Sequence, residues 1–173
     1  MVLDNLAEYL SIDKGALIAP LSILASAIIG SSVACWAVLT NRRLAKLKNS
    51  MDFINGYNED SDISAAMKEI RKIEGMSTSE LQKLAGDGSL CQEAVHIMTV
   101  LNYYEAMALC VHRGIYDDTI IKEAVFTTVT DIWRIFQPYV TERRKLKNNL
   151  TYFQEVEKLT NSWNKKPLES KEK

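Results

Sequence analysis

Histidine, cysteine, proline and glycine are all scarce in this chain, whose 173 residues hold 2 His, 3 Cys, 3 Pro and 7 Gly. Each shortage excludes something. So few glycines and prolines rule out collagen-like repeats and Pro/Gly-rich low complexity, and leave few places where a helix must stop. The odd set Cys35, Cys91 and Cys110 forms no CxxC pair and fits reduced thiols rather than a disulfide framework. His96 and His112, 16 residues apart on one expected helix, point about 160° apart around its axis and cannot share a metal within it. Glycine-rich phosphate loops, HExxH and GxSxG are absent from the sequence. With no nucleophile beside an oriented base, the chain is not expected to be an enzyme, and no metal or cofactor is expected.

An excess of either charge is also missing, since 21 Lys+Arg face 22 Asp+Glu. That balance excludes a polybasic nucleic-acid binder, so nucleic acid is not an expected partner. A mean hydropathy of -0.12 reads as soluble. The average is misleading, because Gly15 to Thr40 reads GALIAPLSILASAIIGSSVACWAVLT with no charge between Lys14 and Arg42. As an α-helix this run is about 39 Å long against a hydrocarbon core of roughly 30 Å. A helix apolar all round at that length needs a bilayer, or a larger protein, to surround it.

Acidic Asp4, Glu8 and Asp13 precede the run, so it reads as a retained anchor rather than a cleaved signal peptide. Arg42, Arg43, Lys46 and Lys48 follow it, and positive residues stay inside. The expectation is a bacterial inner-membrane protein with its N-terminus outside and its C-terminal domain cytoplasmic. Within the span Ser22, Ser26, Gly30 and Ala34 recur every four residues, a spacing that lets two backbones approach and so marks a candidate homo-oligomer face. In so small-residue-rich a segment the same stripe arises by chance. Pro20 lies near the outer end, harmless in a first turn and kinking further in.

Beyond the span, Leu44, Leu47, Met51 and Ile54 fall at 3-4-3 spacing on a juxtamembrane helix that either packs on its own domain or pairs with a neighbour. Asn55-Gly56-Tyr57-Asn58 marks a turn. A succession of helices follows. Ile63, Met67, Ile70 and Ile73 form a stripe stopped by Gly75, and Ser77-Thr78-Ser79-Glu80 has capping-box spacing. Asp87 or Ser89 caps a long helix closed by Gly114, Asp117 or Asp118 opens another that Pro138 ends, and a last helix runs from about Leu150 to Trp163. No alternating run supports a sheet. The fold class is therefore all-α, one N-terminal transmembrane helix continuing into a multi-helix bundle. Its parts are an outward segment at 1–14, the span at 15–40, a juxtamembrane helix at 41–58, the bundle at 59–164 and a polar tail at 165–173.

Charge by segment is uneven: residues 1–14 carry -2, 41–48 carry +4, 49–87 carry -4, 88–140 carry -3 and 141–173 carry +4. The cluster Arg143-Arg144-Lys145-Leu146-Lys147 is either a solvated helix end or a contact for anionic lipid, nucleic acid or a small anionic ligand. Glu105 shares a helical stripe with Met98, Leu101 and Ala108, so its carboxylate is expected to be partly buried and to need a partner. Arg134 is the first choice and Arg113 the second. Such a tie sets helix register; alternatively Asn102, Tyr103, Glu105 and Arg113 line a ligand pocket.

The strings Met51-Asp52-Phe53-Ile54, LNYYEAMALCVHRGIYDD from Leu101, and Tyr152-Phe153-Gln154-Glu155-Val156-Glu157-Lys158-Leu159 ending in Trp163, after a single span with a basic exit, resemble a family of uncharacterised single-span bacterial and prophage proteins, a domain of unknown function. Gly75 to Gly88 lies outside the shared pattern. The resemblance implies a bacterial membrane setting and a phage- or mobile-element-related role, and transfers no active residues. Two functions follow as expectations. One is an anchored interaction or regulatory module with a protein partner; the other, by analogy of layout, is an oligomeric ligand-gated membrane effector of antiphage defence sensing a small anionic nucleotide signal.

Overall fold

A computed structural model describes residues 14–87 and 91–168, and these form six helices with no strand among the described residues. They are α1 (Lys14–Glu59), α2 (Ser61–Ile73), α3 (Thr78–Asp87), α4 (Gln92–His112), α5 (Asp118–Leu146) and α6 (Gln154–Lys165). The chain divides into two compact units, Met1–Ala45 and Lys46–Lys173. The expected outward segment and the end of the tail lie outside the described residues.

In the first unit α1 turns apolar side chains outward. Ile23, Ile28, Val33 and Leu39 are all exposed, as is Trp36 at 70%. Its serines are satisfied within the helix: Ser26 donates to the Ser22 carbonyl at 2.8 Å, Ser32 to Ile28 at 2.8 Å, and Ser31 to Ala27. Hydroxyls that bond the preceding turn leave no unmet donor for hydrocarbon to face. Pro20 sits inside the helix rather than in its first turn. A Cβ added at Gly30 would meet nothing, so the stripe of Ser22, Ser26, Gly30 and Ala34 is open.

The second unit is built around α4. That helix is long and apolar enough to cross a membrane, yet Ile97, Leu101, Tyr104 and Ala108 are fully buried, with α2, α3, α5 and α6 packed on it. An all-round apolar helix is what a bundle core needs. Around it the caps at Ser77–Glu80 and Asp117 are those expected from sequence. Asp60 accepts the N–H groups of Asp62 and Ile63 to start α2, Glu80 accepts the N–H of Ser77 at 2.7 Å in the α3 capping box, and Asp117 accepts those of Thr119 and Ile120. Gly114, at φ +69°, closes α4 with Gly114 N–H to Val111 and Ile115 N–H to Cys110, and Asn148 at φ 47° repeats the motif after α5.

Four local expectations are corrected. The turn at Asn55–Asn58 is helix, because a single Gly56 costs only about 1 kcal/mol and the packing of Phe53 and Ile54 on the core outweighs it. Neither Asp87 nor Ser89 caps α4: Asp87 ends α3, Ser89 lies outside the described residues, and the Cys91 thiol accepts the Ala94 N–H at 3.4 Å. Pro138 does not end α5, which runs on to Leu146. Proline forfeits one hydrogen bond in a helix interior, about 3 kcal/mol, but Phe136, Tyr139 and Val140 on either side are buried and hold the helical path. Finally, α6 starts at Gln154 rather than Leu150, because Phe153 takes the left-handed conformation at φ 55°.

Gly114→Ala is expected to lower stability by about 1 kcal/mol, since alanine resists a positive φ, whereas Gly75→Ala, where φ is not positive and space is open, should leave the thermal midpoint unchanged or raise it. Thermal unfolding of the two variants in one detergent checks the contrast.

Candidate functional site

Helix α6 begins without a cap of its own. Phe153 occupies the N-cap position and makes no side-chain hydrogen bond there. The first amides of any helix need acceptors from elsewhere. Glu105, from the middle of α4, supplies them: one carboxylate oxygen accepts the Glu155 N–H at 3.1 Å and the other the Val156 N–H at 2.8 Å. These are the second and third amides of the helix, the pair an N-cap side chain would serve, and a negative charge at this end also meets the positive pole of the helix dipole.

Further polar contacts gather at the same helix start. Glu155 meets His112 Nδ1 at 2.6 Å and accepts from Lys158 at 2.9 Å. Lys158 first, and His112 second, hold the Glu155 carboxyl below the usual glutamate range. Arg144 spans the approach, its Nε donating to the Tyr152 carbonyl at 2.9 Å and its Nη2 to Glu157 at 2.7 Å. At the other end of α6, Trp163 Nε1 donates to Asp118 at 2.8 Å.

The tie expected at Glu105 therefore exists, but its partner is corrected. Arg134 pairs with Asp131 on its own helix at 3.0 Å, both side chains exposed, an arrangement worth little. Arg113 is the exposed C-cap of α4. Two free backbone amides outcompete either guanidinium because they are fixed in place and would otherwise be buried unmet. The set Asn102, Tyr103, Glu105 and Arg113 separates accordingly. Asn102 is exposed, Glu105 faces α6, and Tyr103 stacks on Phe53 with ring centroids 5.4 Å apart.

That stacking belongs to a second junction, where the end of α1 meets the α4–α5 turn. Ser50 is fully buried; its hydroxyl accepts the Asp117 N–H at 2.7 Å and donates to the Lys46 carbonyl at 2.9 Å. Lys46 reaches the Asp117 carboxylate at 3.7 Å, and Phe53 sits 5.3 Å from Tyr116. Burial pushes the Tyr116 phenol up, with Cys110 beside it adding to the shift. The stripe read from spacing turns partly away: Ile54 packs on the core and Leu47 is half-buried, but Met51 is exposed. Ser50 and Phe53 go inward instead because an aromatic cup receives the ring. Lys46, one of the four basic residues after the apolar run, is thus tied to the bundle, while Arg42, Arg43 and Lys48 are exposed.

The basic cluster also resolves residue by residue. Arg143 donates to the Ala85 carbonyl at 3.2 Å in the last turn of α3, where a cation suits the helix dipole, and Arg144 is committed to the start of α6. A groove of about 200 Å³ that the sequence did not signal lies between α2 and α4, lined by Glu69, Lys72, Ile73, Gln92, Glu93 and His96. Lys72 occupies the Glu69 carboxylate and holds its pKa low.

Residues 24–163 match a domain of unknown function, DUF4760. The chain belongs to this family. The match begins inside the apolar run and ends on Trp163, so the family's domain takes in α1 from Leu24 onward together with the bundle and the Glu105 and Ser50 junctions. No curated protein and no solved structure matches the chain.

Glu105→Ala is expected to lower stability by about 2 kcal/mol, and Glu105→Gln by about half as much, since an amide oxygen serves one N–H and presents a donor to the other; equal midpoints for wild type and both variants in thermal unfolding would contradict the cap. Because the folded-state pKa of Glu155 is depressed, its contribution is complete above the ordinary glutamate value of about 4.3 and is lost as pH falls through the depressed one. The stability gap between wild type and Glu155→Gln should therefore close on acidification, as followed by denaturation at stepwise lower pH.

Proposed function

We propose that the chain is a single-pass membrane protein whose helical bundle works on the cytoplasmic side as an interaction or regulatory module. The observation that carries this is the outward apolar surface of α1 from Leu21 to Leu39, within a run that the sequence leaves uncharged from Gly15 to Asn41 and follows with Arg42 and Arg43. A surface of that length and apolarity is not stable in water, whereas a bilayer covers it. The family match supports an anchor integral to the domain, because it starts within the span. A bacterial inner membrane, with a phage- or mobile-element-related role, is the setting the sequence resemblance implies.

The module binds rather than reacts. Its clustered polar groups, Glu105, Glu155, His112 and Arg144, are taken up in helix capping and ion pairing, which favours a rigid body that presents surface to a protein partner. The open stripe Ser22, Ser26, Gly30 and Ala34 offers the face for a homo-oligomer. The alternative, an oligomeric ligand-gated antiphage effector, would use the span as the moving part. It draws less support, since Arg143 and Arg144, the cations first assigned to an anionic signal, already hold Ala85, Tyr152 and Glu157.

The full chain, expressed in bacteria, should stay in the membrane pellet through an alkaline wash and leave it only with detergent. Protease added outside intact spheroplasts should spare the bundle. Release into the wash would refute the anchor, and digestion of the bundle from outside would refute the orientation.

A further inference from the structure

The turn between α5 and α6 carries a surface that the packing of the bundle does not use. Residues 143–154 hold four cations and no acid. Two of the cations point inward, Arg143 to the Ala85 carbonyl and Arg144 to Tyr152 and Glu157. The other two are exposed: Lys145 reaches Glu142 one turn back on its own helix, at 3.1 Å, and Lys147 is the C-cap of α5. Beside them Leu146 is 55% exposed and Leu150 82%, the latter more open than any described large apolar side chain of α1.

The turn is firmly built. Asn148 and Asn149 donate their N–H groups to the Lys145 and Arg144 carbonyls, and Asn149 Oδ1 accepts both the N–H and the hydroxyl of Thr151, at 2.9 and 2.7 Å. Arg144 holds the Tyr152 carbonyl. Two leucines are thus fixed in an outward position among lysines, by a motif whose own hydrogen bonds do not require them. That combination complements an anionic lipid surface, where lysines sit among phosphates and leucines enter the acyl boundary beneath them.

The geometry points to the α5–α6 turn as a second membrane contact, docking on anionic lipid through Lys145 and Lys147 with Leu146 and Leu150 inserted. The inference rests on the anchored, inside-facing arrangement proposed above. Tethering supplies the bilayer at high effective concentration, so a contact too small to recruit a free protein is sufficient here.

The test uses the full chain in nanodiscs of phosphatidylcholine, with or without phosphatidylglycerol, carrying the photo-crosslinker benzoylphenylalanine at Leu150 or, as a control, at Lys68, an exposed position of α2. Retention in the discs is measured before irradiation. Lipid adducts are expected at position 150 in anionic discs, several-fold above both neutral discs and position 68. Lys145→Gln with Lys147→Gln should cut the yield roughly tenfold or more, each lysine near an anionic leaflet being worth about fivefold. Equal yields at positions 150 and 68, or adducts at 150 only to a second copy or another protein, would overturn the lipid contact while leaving the anchor standing. A chain that is not retained in the discs overturns the anchor, and the inference with it.

Discussion

The start of α6 depends on a carboxylate that belongs to another helix. Phe153 is buried and left-handed at the N-cap position and offers no side-chain acceptor; the Thr151 carbonyl takes the Gln154 N–H at 3.2 Å, which leaves the next two amides to be met from elsewhere. Glu105 meets both from α4. Much else follows from that placement. With α6 starting at Gln154, Val156, Leu159 and Trp163 fall on one buried face, and Trp163 arrives at Asp118 on the first turn of α5. Arg144 can then bridge the end of α5 to Glu157. A buried carboxylate would be costly without such partners, and charged hydrogen bonds to fixed amides are among the stronger ones a protein makes.

The α4–α5 turn plays a comparable part for the other end of the bundle. Gly114 lets the chain reverse immediately after α4, which brings Tyr116 and the Asp117 amide to one side of it. Phe53 and Ser50 of α1 dock there. From Lys46 onward α1 therefore belongs to the second unit, with Phe53 and Ile54 packed against its core, and Lys46 serves the bundle through Asp117 as well as adding to the basic set behind the run. Both junctions use the same economy: a polar group sent into the interior is matched to backbone amides at a helix start, where acceptors are required in any case.

These two junctions mark where inference from residues alone stops. The all-helical class, the buried stripe Ile63, Met67 and Ile70, the capping box at Ser77–Glu80 and the Gly114 stop all follow from local chemistry and all appear among the described residues. Pro138 and Gly56 misled for one reason, that local helix penalties of a few kcal/mol yield to the burial of their neighbours. Glu105 was recognisable as a carboxylate in need of a partner. That the partner is a pair of main-chain amides 50 and 51 residues away was not, because every residue carries an N–H and only the fold decides which ones lack acceptors. Arg143 and Arg144 show the same limit: as a basic run they read as a surface, and packing alone turned both inward.

What the amino-acid order determined by itself is whatever depends on spacing and composition: an uncharged run of membrane length, a basic flank, an all-helical remainder with its principal stops, and the absence of known catalytic signatures. Hydrophobic periodicity and charge are properties of neighbours along the chain, so they need no fold to be read. Tertiary structure decided which polar groups are used up and which are left over. It committed Glu105 and Ser50 to backbone amides, drew two arginines of the basic cluster inside, and left Lys145, Lys147 and Leu150 facing out. The reason is that hydrogen-bond demand in a folded protein is settled between elements distant in sequence, by geometry that no local pattern encodes.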